Sequence, residues 1–172
     1  MGMDQRKLTR AALLLALTLL FQSLRFLIPV PPFFSTMIIG SLVNACLIVT
    51  LELVGFWPAA FIACVTPMVA YFQQLLPIPP LIVPVACGNF LYVSLFFLLK
   101  KQFGQWVAVL GAAAGKAAFL YSAFTWMLTW LGIPAALASA LLFVMSWPQL
   151  VTGVAGAILA GMVVRRLRAN ML

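Results

Sequence analysis

The sequence predicts an all-α integral membrane protein, a compact bundle of six transmembrane helices with both termini in the cytoplasm. Three observations carry this expectation. Of the 172 residues, 66% are hydrophobic and only 7% are charged, a mix that needs a bilayer rather than water as its solvent. The apolar residues fall into six runs, each near the roughly 20 residues of helix that cross a hydrocarbon core about 30 Å thick. Eight of the ten basic residues gather in three clusters, all in alternate connections.

Taken in order, the first span runs from Leu8 to Ile28 behind Arg6, Lys7 and Arg10. A basic start and an apolar run also describe a secretory leader, but no small-x-small cleavage site closes this one, so it reads as a retained helix. The second span, Met37 to Val54, carries Glu52 near its inner end, and the third, Ala59 to Leu76, is separated from the fourth, Leu81 to Leu99, by the proline turn Pro77 to Pro80. Lys100 and Lys101 divide the fourth from the fifth, Trp106 to Trp130. The last span, Pro148 to Val164, begins with a proline suited to a first helical turn and is followed by Arg165, Arg166 and Arg168. Between them, Leu131 to Trp147 is too long for a tight turn and too apolar for a solvated loop, which predicts a short helix lying over the outer face. The connections Pro29 to Thr36, Pro77 to Pro80 and Leu131 to Trp147 carry no charge, so the positive-inside rule places both termini in the cytoplasm. Trp57 and Trp106 then mark the inner interface, and Trp130 and Trp147 the outer one. Six spans with short loops occupy residues 1–172 as a single transmembrane domain.

An internal echo accompanies these spans. The segment Leu27 to Phe34, LIPVPPFF, aligns without gaps on Leu75 to Ile82, LLPIPPLI, and the same register places Gly40 on Gly88. With this topology the two are outward-facing hairpins of one orientation, as in the parallel repeats of some transporters, or else two proline turns that look alike.

Catalytic chemistry has almost no parts here. Asp4 and Glu52 are the only acids and histidine is absent, which leaves nothing for a triad, general acid–base work or a metal-activated water. Cys46, Cys64 and Cys87 lie in apolar runs without metal-ligand spacing and read as packing residues. No phosphate-cradling glycine loop occurs, so any use of ATP belongs to a partner. The chain is expected to be no enzyme and to hold no cofactor or metal.

The polar residues are informative by depth. Outer halves of the spans hold Gln22 and Arg25, then Tyr71, Gln73 and Gln74, then Gln149 and Thr152, while Asn89 and Tyr92 lie near mid-depth, three residues apart on one helix face. Polar groups in hydrocarbon either line a cavity or bond one helix to another, and their gathering toward the outside predicts an outward pocket. Lys116 lies ten residues, about 15 Å, into the fifth span. Lys116, Phe119, Ala123, Trp126 and Trp130 follow steps of three and four and form a stripe, as would an aromatic slot with a cation at its floor. The alternative is an amine that snorkels inward or pairs with Glu52. Arg25 either reaches headgroups or faces Lys116 across the pocket, in which case the ligand is an anion. The candidate substrate contacts are therefore Gln22, Arg25, Gln74, Asn89, Tyr92, Lys116, Trp126, Trp130 and Gln149.

Small residues recur at four-residue steps: Ala12 and Ala16, Gly111 and Gly115, and Gly153, Ala157 and Gly161. With six compact spans, inside termini, the alanine pair of AALLLALTLL and proline-rich outer turns around GSLVNACL and ACGNFLYV, the chain resembles the substrate-binding S components of energy-coupling-factor (ECF) type ABC importers. The resemblance implies a prokaryotic plasma-membrane subunit that captures a vitamin or similar micronutrient from outside. It also implies partners: a transmembrane T component, docked on Ala12 and Ala16, and two ATPase subunits. No ligand motif of the riboflavin, thiamine, biotin or folate members carries over. A different class, the small multi-span MreD-type membrane scaffold without a ligand, predicts polar residues on outward-facing surfaces or spread evenly through depth. A stand-alone permease would want ionisable residues along a whole path.

Overall fold

A computed structural model describes residues 5–27 and 31–169, which leaves Asp4, the Ile28 end of the first expected span and Pro29 of the echo outside the described residues. The described chain is helical throughout. In order come α1 (Gln5–Ser23), a 3-10 turn (Leu24–Phe26), α2 (Pro32–Leu53), α3 (Phe56–Phe72), a second 3-10 turn (Pro79–Leu81), α4 (Ile82–Phe103), α5 (Gln105–Trp130), α6 (Ala135–Val144) and α7 (Trp147–Ala169).

Five stretches are long and apolar enough to cross a membrane: Gln5–Phe26, Phe33–Leu53, Pro79–Phe103, Gln105–Trp130 and Ala135–Ala169. α3 is shorter, at 17 residues, or about 26 Å of rise. It starts three residues before the expected span because Pro58 is tolerated in a first turn, and it stops at Phe72 because Gln74 takes a left-handed φ of 59°. Proline also sets three further starts: Pro31 and Pro32 open α2, Pro148 lies in the first turn of α7, and the short helix expected over the outer face is α6, entered from Pro134.

The turns at the basic end are tight. Val54 and Gly55 alone join α2 to α3, and Gly104 alone joins α4 to α5; their φ values of 131° and 89° are open to glycine and strained for other residues. Lys100 and Lys101 are thus in the last turn of α4 rather than in a loop. Glu52 at the end of α2 pairs with Lys100 at 2.5 Å and with Arg168 of α7 at 3.3 Å, which ties three helix ends together on one side. Trp57 and Trp106 lie in first turns at this end, and Trp130 and Trp147 at the other, all four largely exposed.

α2 packs chiefly on α7 and α4 chiefly on α5, with α3 against α4 and α5 against α7. Tyr92, Phe96, Leu47, Ile48 and Val109 fill the centre. Close approach is possible because small residues face the neighbours: a side chain at Gly88 would strike Leu120, and one at Gly156 would strike the α2 backbone at Ser41 and Ala45. α1 lies at the edge. Only 11% of its most apolar window is buried, against 33 to 50% for the other four stretches. Its hydroxyls at Thr9, Thr18 and Ser23 bond to carbonyls one turn back, the usual way such groups are satisfied inside an apolar helix.

Candidate functional site

The polar residues of the interior form two joined clusters. The first surrounds Lys116 on α5, whose side chain is 3% exposed. Its Nζ donates to Asn44 Oδ1 of α2 at 2.7 Å and lies 5.2 Å from the centroid of the Tyr92 ring on α4. Tyr92 in turn donates its hydroxyl to the Gly153 carbonyl of α7 at 2.6 Å, and Asn44 Nδ2 donates to Thr152 Oγ1 of α7 at 3.4 Å. Four helices therefore meet at one ammonium. Its partners are an amide oxygen and an aromatic face, both neutral. Glu52, the one acid among the described residues, pairs with Lys100 and Arg168 instead, so the Lys116–Glu52 alternative does not form.

The second cluster lies where α1 meets α3, toward the end away from the three basic clusters. Gln22 Nε2 donates to the Thr66 carbonyl at 3.1 Å, and Gln73 Nε2 donates to Ser23 Oγ at 3.0 Å. Arg25 sits beside them on the 3-10 turn that ends α1. Three buried atoms here have no hydrogen-bond partner: Gln22 Oε1, Gln73 Oε1 and Arg25 Nε. A buried polar atom left unpaired costs about 1–3 kcal/mol, so three in one corner are an exception that needs a cause. Thr66 and α4 join the two clusters, because Asn89 Nδ2 reaches Thr66 Oγ1 at 3.4 Å and Ala63 O at 3.5 Å. Asn89 and Tyr92, one turn apart, face different neighbours: three residues advance the helix to roughly 60° from a full circle, enough to aim one at α3 and the other at α5 and α7.

Other candidates are placed elsewhere. Trp126 and Trp130 are 69% and 78% exposed and stack on each other at 6.3 Å, on the outside of α5. The buried line of α5 is Lys116, Leu120, Phe124 and Leu128. The stripe read from steps of three and four keeps to one side of a straight helix. The actual contact follows steps of four and winds around α5, as ridges between crossing helices do. Gln74 is exposed at the end of α3. Gln149 donates to the Val144 carbonyl at 3.2 Å, which secures the turn between α6 and α7.

Four cavities stand out, and none is lined by Gln22, Arg25, Asn89, Tyr92 or Lys116. One, of about 370 Å³, lies among Phe33, Thr36, Phe143 and Pro148 at the end away from the basic clusters. Where the depth of the polar residues predicts an outward hollow, Gln22, Gln73, Asn89 and Tyr92 instead bond to neighbouring helices.

Asn44 and Thr66 were not among the sequence candidates. Asn44 had a signal: it stands four residues after Gly40, as Tyr92 stands four after Gly88, so the two groups that hold Lys116 occupy equivalent places in the echo. Of the small-residue faces, Gly111 and Gly115 pack on Leu99 and Leu95, and Gly153 packs on Ala113. Ala12 and Ala16 are exposed on α1, and Ala12 borders an apolar groove with Leu8, Leu15, Trp57 and Phe61.

Comparison with known proteins gives no family: no family model matches the chain, and neither the curated proteins nor the solved structures yield a match.

Proposed function

We propose that this chain captures a small anionic micronutrient at the outer side of a prokaryotic plasma membrane, as the substrate-binding subunit of an ECF-type importer, with its basic end and both termini in the cytoplasm. The observation that carries the reading is the corner of α1 and α3, where two carbonyl acceptors and a guanidinium N–H are buried without partners. A ligand offering an anionic oxygen to Arg25 and donors to Gln22 and Gln73 would satisfy all three. Lys116 adds support, because a buried ammonium held only by neutral groups would gain from an anion nearby. α1 is the least enclosed of the long helices, so its outer end is the part that can part from α3 to admit a ligand. Ala12 and Ala16 remain open for a helix of the T component.

The test is to purify the protein in mild detergent and identify any co-purifying small molecule by mass spectrometry. Retention of one anionic compound, lost in the Arg25→Gln, Lys116→Met double variant, is the expected result. The reading fails if nothing is retained, or if that variant holds the same compound equally well. Pulling down a T component and ATPases from the same preparation tests the importer assignment.

A second reading, a ligand-free membrane scaffold of the MreD type, is favoured by the interhelical use of Asn44, Asn89 and Tyr92, none of which lines any of the four cavities. It predicts a stable protein partner in the same preparation and no small molecule.

A further inference from the structure

We infer that the cavity at the basic end is a binding site for the phosphate of an anionic phospholipid. This site lies at the opposite end of the bundle from Arg25, and it needs only that the helices lie in a bilayer, so it stands or falls apart from nutrient capture. The cavity, of about 280 Å³, is enclosed by α2, α4, α5 and α7. Lys100, Arg165 and Arg168 line it together with one acid, Glu52. Glu52 already accepts from Lys100 and Arg168, and Arg165 has no acidic partner among the described residues. Three cations to one carboxylate leave a local excess of two positive charges, which suits a phosphate diester and repels a second cation.

A lipid is favoured over a soluble anion by what adjoins the charges. The deeper lining is apolar, formed by Ile48, Val109 and Ala157. At its rim, Ile158 and Met162, one turn apart on α7, are exposed apolar lining residues, along which an acyl chain can lie. Trp106 stands in the first turn of α5, at the level where indoles meet headgroups. Basic pockets between membrane helices are suited to such headgroups.

Gly161 keeps the cavity open. A Cβ there would meet only Gln105 Nε2, at 3.7 Å, so a larger side chain can enter the space without striking backbone. This permits a test by volume as well as by charge. The purified full chain in neutral detergent is titrated with phosphatidylglycerol, with phosphatidylcholine of the same acyl chains, and separately with inorganic phosphate, and bound species are counted by native mass spectrometry. Phosphatidylglycerol is expected to be retained preferentially. Arg165→Gln should weaken its binding about fivefold, and Gly161→Leu should abolish it. Arg166→Gln, one residue along α7 and outside the cavity, should change nothing. The inference is overturned if phosphatidylcholine is retained equally, if Arg165→Gln behaves like Arg166→Gln, or if inorganic phosphate alone binds as tightly as the lipid. Should Gly161→Leu fail to fold, the Arg165 and Arg166 pair decides.

Discussion

Replacing Gly156 by alanine places a methyl group 2.6 Å from Asn44 Cβ, 2.8 Å from the Ser41 carbonyl oxygen and 2.9 Å from the Ala45 nitrogen. Ordinary van der Waals contact begins near 3.4 Å, so α7 must move from α2 by roughly 0.8 Å, the difference between 3.4 and 2.6 Å. Two of the three atoms struck are backbone, which cannot swing aside as a side chain can. Overpacking of this kind costs about 1–3 kcal/mol, and it acts on Asn44, which holds Lys116. The same substitution at Gly161, five residues along the same helix, meets nothing closer than 3.7 Å. There alanine should be neutral or should gain up to about 0.5–1 kcal/mol of helix propensity. The assay is equilibrium unfolding in mixed micelles, read by circular dichroism. Gly156→Ala should shift the midpoint clearly downward while Gly161→Ala does not. Equal midpoints for the two variants would refute the close α2–α7 contact and, with it, the position assigned to Asn44.

Further outcomes follow from the same contacts. Asn44→Leu leaves the Lys116 ammonium without its acceptor and should destabilise by about 1.5–3 kcal/mol; adding Lys116→Met should restore part of that loss, as a double-mutant cycle by the same unfolding assay would show. Tyr92→Phe removes the 2.6 Å bond to the Gly153 carbonyl and should cost about 0.5–1.5 kcal/mol. Trp126→Ala and Trp130→Ala should stay within about 0.5 kcal/mol of the parent, because both indoles are on the surface. Ala12→Leu with Ala16→Leu should leave the unfolding midpoint unchanged, since both alanines are exposed, yet reduce recovery of a T component in the pull-down.

Much of the helix plan was legible because proline, glycine and charge are local signals. Pro148 in the opening turn of α7, the apolar segment that becomes α6, and the confinement of Lys100 and Arg168 to one end follow from residues acting within a few positions of themselves. The end of α3 was less legible, because nothing in the apolar run before Gln74 announces a left-handed residue. The depth of Lys116 could be counted along its helix. Its partner could not.

What the sequence determined by itself was composition and order: an all-helical, apolar chain whose three basic clusters lie at one end and whose turns at the other end are stiffened by proline. The tertiary structure decided which faces meet. In water a helix announces its inner face by polarity, but these helices are apolar nearly all round, and lipid and protein interior are alike to a leucine. The choice of face therefore rests on shape, on where Gly156 lets α7 approach α2 and where Gly88 lets α4 approach α5. Those two approaches bring Asn44 and Tyr92 to Lys116, and they turn Trp126 and Trp130 away from it.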